Sequence, residues 1–495
     1  MASTPALLPA DEDGIRLPVQ DAGHTWINPR GWLTPDLVRN LAILITGLAI
    51  VLAVLASVQA SGGKAGFEEI GHKAGPQVVA SSDLYLALNN MDAQLANALL
   101  IGNAQGLRVT REQVLGDYEA GRRQADTDLQ KASALAGDDQ RAATALRQAL
   151  DGFGHYQALA AQAIQLDGQH PHPAARPSPA VLTLYRQATS EMKGTVLPAA
   201  EALRTANADR VESAYQSRYR ALNVGAGTVL GVGLAVVVAL AVLQFSLARR
   251  TRRMVAPALV VATLVALGGT ILATFTFALA ADHLRVAKTD AFDSVLALTR
   301  GRAIAWDANA DESRYLADPQ QADLYQTAFY TKANELVDTG SVHSGGYETS
   351  LGQDVSRYQG SAEQGRYIVT FGGLLGKEFR NITFPGERAA AEDALERWQI
   401  YQGNDARLRD MVAGGQLQAA VSFDTSPGDN ASNGSFTAFD AAMRRVIDVN
   451  DEQFTENIKT GGDDLSGWTV IPPVGAVVII VLVLAGVRPR LAEYR

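Results

Sequence analysis

The chain has 495 residues, 47% of them hydrophobic, a formal net charge of −9 and a mean hydropathy near zero. That apolar share exceeds what one soluble core needs, so part of it faces lipid, and the length fits roughly two to four domains. The acidic balance argues against a nucleic-acid partner, because phosphate neutralisation needs a basic face. The lack of cysteine removes disulfides, thiolate metal sites and thiol nucleophiles.

In chain order, residues 1–36 form a proline-dotted polar tail (Pro5, Pro9, Pro18, Pro29, Pro35), read either as a docking segment or as a disordered leader. Four stretches follow that are long and apolar enough to cross a bilayer: 37–58, 223–246, 256–280 and 469–487. Their cores at 41–58, 224–243, 258–280 and 470–487 carry no charge. Arg30 and Arg39 precede the core of the first span, Arg249, Arg250, Arg252 and Arg253 lie in the basic loop 247–255, and Arg488, Arg490 and Arg495 lie in the tail 488–495. The positive-inside rule puts these sites and both termini in the cytoplasm, leaving 59–222 and 281–468 outside. The first span is longer than the apolar region of a signal peptide and is expected to be retained.

Gly227 and Gly231 form a G-x-x-x-G in the second span, the spacing that lets helices approach closely in lipid. It is read as the contact of a homodimer or of two spans in one chain. Uncharged spans, with proline only at their entrances, offer no ion path and weigh against a permease.

Residues 59–222 read as an up-down helical bundle. A helix leaves the membrane over 65–100, Thr110 with Gln113 matches a capping box, and Leu146, Leu150, Phe153 and Ile164 stripe the next helix. Val181, Leu184, Tyr185, Ala188 and Met192 stripe the last. Between the latter two lies His170-Pro171-His172-Pro173, read as an exposed loop rather than a metal site.

Residues 281–468 open on a helix over 283–317. A middle helix follows Phe384-Pro385-Gly386 and stops at Gly414-Gly415, and an amphipathic one carries Phe436, Phe439, Met443, Val446, Phe454 and Ile458. The Gly-rich stretch 339–383 is expected to be less regular, a packed loop where a ligand or partner docks. The region holds 29 Asp and Glu against 17 Lys and Arg. An anionic ligand would therefore need a local exception, for which Arg302, Arg314 and Arg380, with Asn381, are the candidates. The competing reading pairs these arginines with Asp307, Asp311, Glu312 and Glu378 on a solvated face.

The fold class expected is an all-α membrane protein: four transmembrane helices and two extracytoplasmic domains resembling four-helix bundles. No Ser-His-Asp grouping, G-x-S-x-G, H-E-x-x-H or phosphate-cradling glycine loop is present in the sequence, so no catalytic residue, cofactor or metal is assigned.

Two strings carry a family resemblance: Trp306-Asp307-Ala308-Asn309-Ala310-Asp311-Glu312-Ser313-Arg314-Tyr315-Leu316 and Glu378-Phe379-Arg380-Asn381-Ile382-Thr383-Phe384-Pro385-Gly386-Glu387. Both resemble the actinobacterial GlnX family of four-span membrane proteins. The resemblance implies a non-enzymatic relay between an amino-acid-binding lipoprotein (GlnH) outside and a serine/threonine kinase (PknG) inside. Such a relay would respond to aspartate or glutamate. It would also account for large outer domains on a chain with little cytoplasmic mass. The rival readings are a structural anchor of an envelope complex and a permease subunit.

Overall fold

The computed structural model describes residues 35–135, 139–251, 256–341 and 345–492. Residues 1–34 of the proline-dotted tail, Arg30 among them, and Arg252, Arg253 and Arg495 lie outside the described residues, while Pro35 opens the first helix. Among the described residues fifteen α-helices run in chain order. The first half contains α1 (Pro35–Glu68), α2 (Gly75–Ile101), α3 (Arg111–Leu135), α4 (Gln140–Gln169), α5 (Pro179–Glu191) and α6 (Leu197–Thr251). The second contains α7 (Pro257–Arg285), α8 (Asp293–Ala317), α9 (Ala322–Leu336), α10 (Gly346–Ala362), α11 (Gly373–Asn381), α12 (Glu387–Ala413), α13 (Leu417–Thr425), α14 (Ser432–Asp464) and α15 (Ile471–Ala492). No strand occurs among the described residues, and the fold is all-α as expected.

Local sequence explains the breaks. Thr110 and Gln113 exchange the two hydrogen bonds of a capping box at the start of α3. Asp139 caps α4 by accepting from the Arg141 and Ala142 amides, and Ser178 caps α5. Gly102 ends α2 at φ +50°, where a Cβ would sit 2.4 Å from the His172 ring, so only glycine fits.

The expectation for 339–383 is corrected in its structure: most of that stretch is α10 and α11. Tyr347, Leu351, Val355 and Tyr358 fall on one face of α10, and all four are buried with Leu375 and Phe379 of α11. The glycines masked a stripe at helical spacing.

Among the described residues four helices are long and apolar enough to cross a membrane, within the helical stretches Asp36–Ile101, Pro179–Ala248, Pro257–Ala317 and Ile471–Arg488. They pack as a ring, α1 and α7 each touching both α6 and α15. Three of them continue into the helical head without a loop. α1 reaches α2 through a π segment (Glu69–Ala74), α7 reaches α8 through another (Val286–Phe292), and α5 reaches α6 through a third (Met192–Val196). At 1.5 Å per residue, the 55 residues of α6 make a rod of about 80 Å. Only α15 is joined to its head helix, α14, by a short turn.

Each half has its own head core. In the first, α2 to α6 bury Leu84, Met91, Phe153, Tyr156 and Tyr185. In the second, Trp398, Tyr401, Phe436 and Phe439 are buried with the faces of α8 to α11. The halves are not separate posts. α2 and α8 pack along each other, and each is buried on nearly all sides, the pattern of a central helix rather than an amphipathic one.

Gly227 and Gly231 are not where the spans of this chain meet, since a Cβ at either would touch nothing. The glycines at which α6 closely approaches a neighbouring span are instead Gly225, against Gln59, and Gly233, against Thr270.

Candidate functional site

α8 brings four consecutive polar residues, Asp311, Glu312, Ser313 and Arg314, into the middle of the head, none more than 1% exposed. On a helix, consecutive side chains point about 100° apart, so these four address different neighbours. Ser313 donates to Asn97 of α2, and Glu312 accepts from Tyr401 of α12 and from Ser432 at the start of α14. Arg314 and Asp311 face the seam between the two halves.

The Arg314 guanidinium is satisfied there from both sides. Its Nε donates to the Tyr185 hydroxyl at 2.7 Å and its Nη2 to Asp92 at 2.5 Å, both in the first half. Its Nη1 donates to Asp307 at 3.1 Å and to Asp311. Lys193, carried by the π segment Met192–Val196, crosses from the first half to Asp307 at 3.2 Å and Asp311 at 3.4 Å. Lys332 of α9 closes the group on the same two carboxylates. Three cations (Arg314, Lys193, Lys332) thus meet three carboxylates (Asp92, Asp307, Asp311), and the buried group is neutral as a whole. Burial pushes the Asp307 carboxyl up, but Lys332, Lys193 and Arg314 outweigh it and hold it below the usual carboxylate range. Asp311 is lowered by the same cations against the same opposing burial.

The reading of these residues as a solvated face is therefore corrected: of the expected pairs only those of Arg314 with Asp307 and Asp311 form among the described residues, and they lie in the interior. Other charged contacts bridge the halves along the same seam. Arg186 grips Asp318 with two hydrogen bonds of 2.8 and 2.6 Å, and Lys288, in the π segment Val286–Phe292, reaches Glu212 of α6 at 2.7 Å. Two π segments thus each carry a lysine across the seam. Such segments add a residue to a turn and re-aim a side chain, and they are frequent at functional sites.

The other candidates lie apart. Arg302 grips Asp440 of α14 at 2.9 and 3.0 Å, beside the Trp306 indole, which donates to the same carboxylate. Arg380 donates to the Phe371 carbonyl. Asn381 donates to the Asp290 carbonyl inside a π segment and to Ser294, pinning α11 to the start of α8. The sequence reading missed Asp92, Tyr185, Lys193 and Lys332. Only the helical phase of Tyr185 marked any of them, and it marked a core position.

Two further acids of the second half are buried. Burial, with Asp405 adding to it, pushes the Asp424 carboxyl up to about 7, and burial with the neighbouring Glu387 pushes Glu378 up to about 8. In the loop between α4 and α5, His172 is held by Asp167 at 2.7 Å, a carboxylate partner that the sequence reading did not identify. Arg111 occupies the other oxygen of Asp167, so the position is filled by a cation. Among the described residues no group of three or more His, Cys, Asp or Glu could hold a metal ion.

Residues 66–216 match the family model of an actinobacterial sensor domain. The matched segment runs from the end of α1 through the head helices of the first half into α6, under a third of the chain. It supports a sensing role of an actinobacterial kind. No curated protein and no solved structure matches the chain.

Proposed function

We propose that this protein is a transmembrane relay in which a signal received by the head is carried to the far side of the membrane by its own helices. The observation that supports it most is continuity: three apolar helices run without a loop into the head, and the two halves they serve meet at one buried, charge-balanced seam. A change in how α2 sits on α8 would move α1 and α7 with them, because a packed interface has discrete arrangements rather than a continuum. In this reading the head lies outside and both termini inside, as the arginine distribution implies. The signal is an aspartate- or glutamate-type amino acid presented by a solute-binding lipoprotein, and the receiver is a cytoplasmic serine/threonine kinase, by the resemblance to the GlnX family. Arg302, Asp307, Asp311, Arg314, Arg380 and Asn381 then position the surfaces that answer the lipoprotein instead of touching the amino acid themselves.

The experiment uses the native absence of cysteine. Spin labels on single cysteines introduced at Val38 and Arg488, in the full chain in lipid nanodiscs, report the spacing of α1 and α15 at the end away from the head. A distance that shifts when the lipoprotein is added with aspartate or glutamate, and not with either alone, supports the relay. An unchanged distance with the lipoprotein demonstrably bound makes the protein an anchor.

A further inference from the structure

The ring of four apolar helices is not filled. Between α1, α7 and α15, in the half of the ring next to the head, lies a cavity of about 280 Å³. Small side chains on these three helices form much of its wall, among them Ala53, Ala266, Gly269 and Gly475, and Val229 of α6 also lines it. The Thr270 hydroxyl at its edge is already donated to the Ala266 carbonyl at 2.7 Å, so the lining offers a ligand almost nothing polar. Native interiors seldom keep voids larger than a water molecule, and an engineered apolar cavity of roughly 150 Å³ stays dry and takes up benzene. This one is larger.

Helix contact does not force the small residues. A Cβ on Gly269 or Gly475 would meet nothing within 4 Å, so larger residues there would fill the space without a clash at their first carbon. The cavity opens sideways between α7 and α15, where Leu272 and Ile471 are 55% and 51% exposed. At that depth in a bilayer the surrounding medium is hydrocarbon, and water would find no partners.

We infer that this cavity is a binding site for a linear hydrocarbon chain, and that one acyl chain of a membrane lipid enters it between α7 and α15 and lies against α1. The chain touches spans from both halves, since α1 belongs to the first and α7 and α15 to the second. The inference rests on the reading of these helices as membrane spans and not on the relay.

Trp468 provides the test. It lines the cavity and is only 6% exposed, with its ring 5.9 Å from that of Phe277, so bulk lipid does not lie against it. The full chain and its Trp468→Phe variant are placed in nanodiscs of phosphatidylcholine with plain or mid-chain brominated acyl chains. The difference between the two proteins gives the emission of Trp468, and bromine quenches an indole only on contact. A seated chain predicts loss of most of that emission in brominated lipid, with the emission restored by Gly269→Leu and, from the opposite wall, by Gly475→Leu. Far-UV circular dichroism matching the parent identifies which filling variant is folded and so usable. Emission of Trp468 that is indifferent to bromine overturns the inference, and so does quenching that persists in a folded filling variant, which would mean contact with bulk lipid only.

Discussion

Replacing Arg314 by methionine keeps much of the side chain's length and removes its charge. Lys193 and Lys332 still neutralise Asp307 and Asp311, so the damage concentrates on Asp92, whose ion pair is with Arg314 and whose remaining partners are the hydroxyls of Tyr156 and Thr189. Breaking a buried pair by removing one partner costs about 3–5 kcal/mol. An independent route gives a similar figure: a stranded carboxylate escapes by taking a proton, which for an ordinary carboxyl costs about 4 kcal/mol at pH 7 and about 1.4 kcal/mol less for each pH unit below. Urea titration of the full chain in nanodiscs, followed by tryptophan fluorescence, should therefore show Arg314→Met less stable by about 4 kcal/mol at pH 7 and by only about 1.5 kcal/mol at pH 5. Adding Asp92→Asn should recover most of the loss at pH 7, because the second substitution removes the stranded charge. A penalty under about 1 kcal/mol at pH 7, or one that is the same at both pH values, would refute the reasoning and make the seam an ordinary polar contact.

The raised carboxyls of Glu378 and Asp424 give the parent protein a pH slope of known sign. Folded-state values near 8 and 7 exceed those of the unfolded chain, so the native state holds the extra protons and stability falls as pH rises from about 4 to 8. Glu378→Gln should flatten that slope in urea titrations across the window, and an unchanged slope would count against it. Asp307, held low, acts in the opposite sense and gives up its stabilisation only as pH falls below about 4. Gly233→Val should weaken the packing of α6 on α7, since its Cβ would lie 2.2 Å from Thr270 Oγ1, while Gly231→Val should leave the melting of the single chain unchanged. If crosslinking shows a homodimer that Gly231→Val abolishes, the G-x-x-x-G serves contact between copies. Asn381→Ala strips a hydrogen bond from the Asp290 carbonyl and should cost about 1–2 kcal/mol, read as faster amide exchange within Val286–Phe292.

The spans were legible because lipid imposes a one-dimensional rule, about twenty apolar residues without charge, that needs no knowledge of partners. The capping box at Thr110 and the stripe of α14 were legible because they are local. The seam was not. Asp307, Asp311 and Arg314 recur at three- and four-residue spacing, which is how a solvated helix face looks, and what makes them interior is a second half more than a hundred residues away. Asp92 and Lys193 carry no mark of their own, being single charges whose meaning is fixed only by the packing of α2 on α8. The helix α10 is hidden for a different reason: its glycines lower the apparent propensity, and an aromatic stripe among glycines looks the same in a packed loop.

The two membrane-proximal π segments face a common neighbour. Ile458 of α14 lies where Gly71 would carry a Cβ, and the Phe454 ring sits near Gly75, just past that segment, and 5.0 Å from Phe292 in the other. A π turn holds one residue more than the α turn it replaces, and each residue of a helix subtends about 100°. If either segment relaxed to α geometry, the span beneath it would revolve by a fraction of a turn and move along its axis by about one residue's rise, ~1.5 Å. Rotation, coupled by α14 from one half to the other, is then the larger part of that motion, and the far end of a span would register it mainly as a change in the azimuth of a helix.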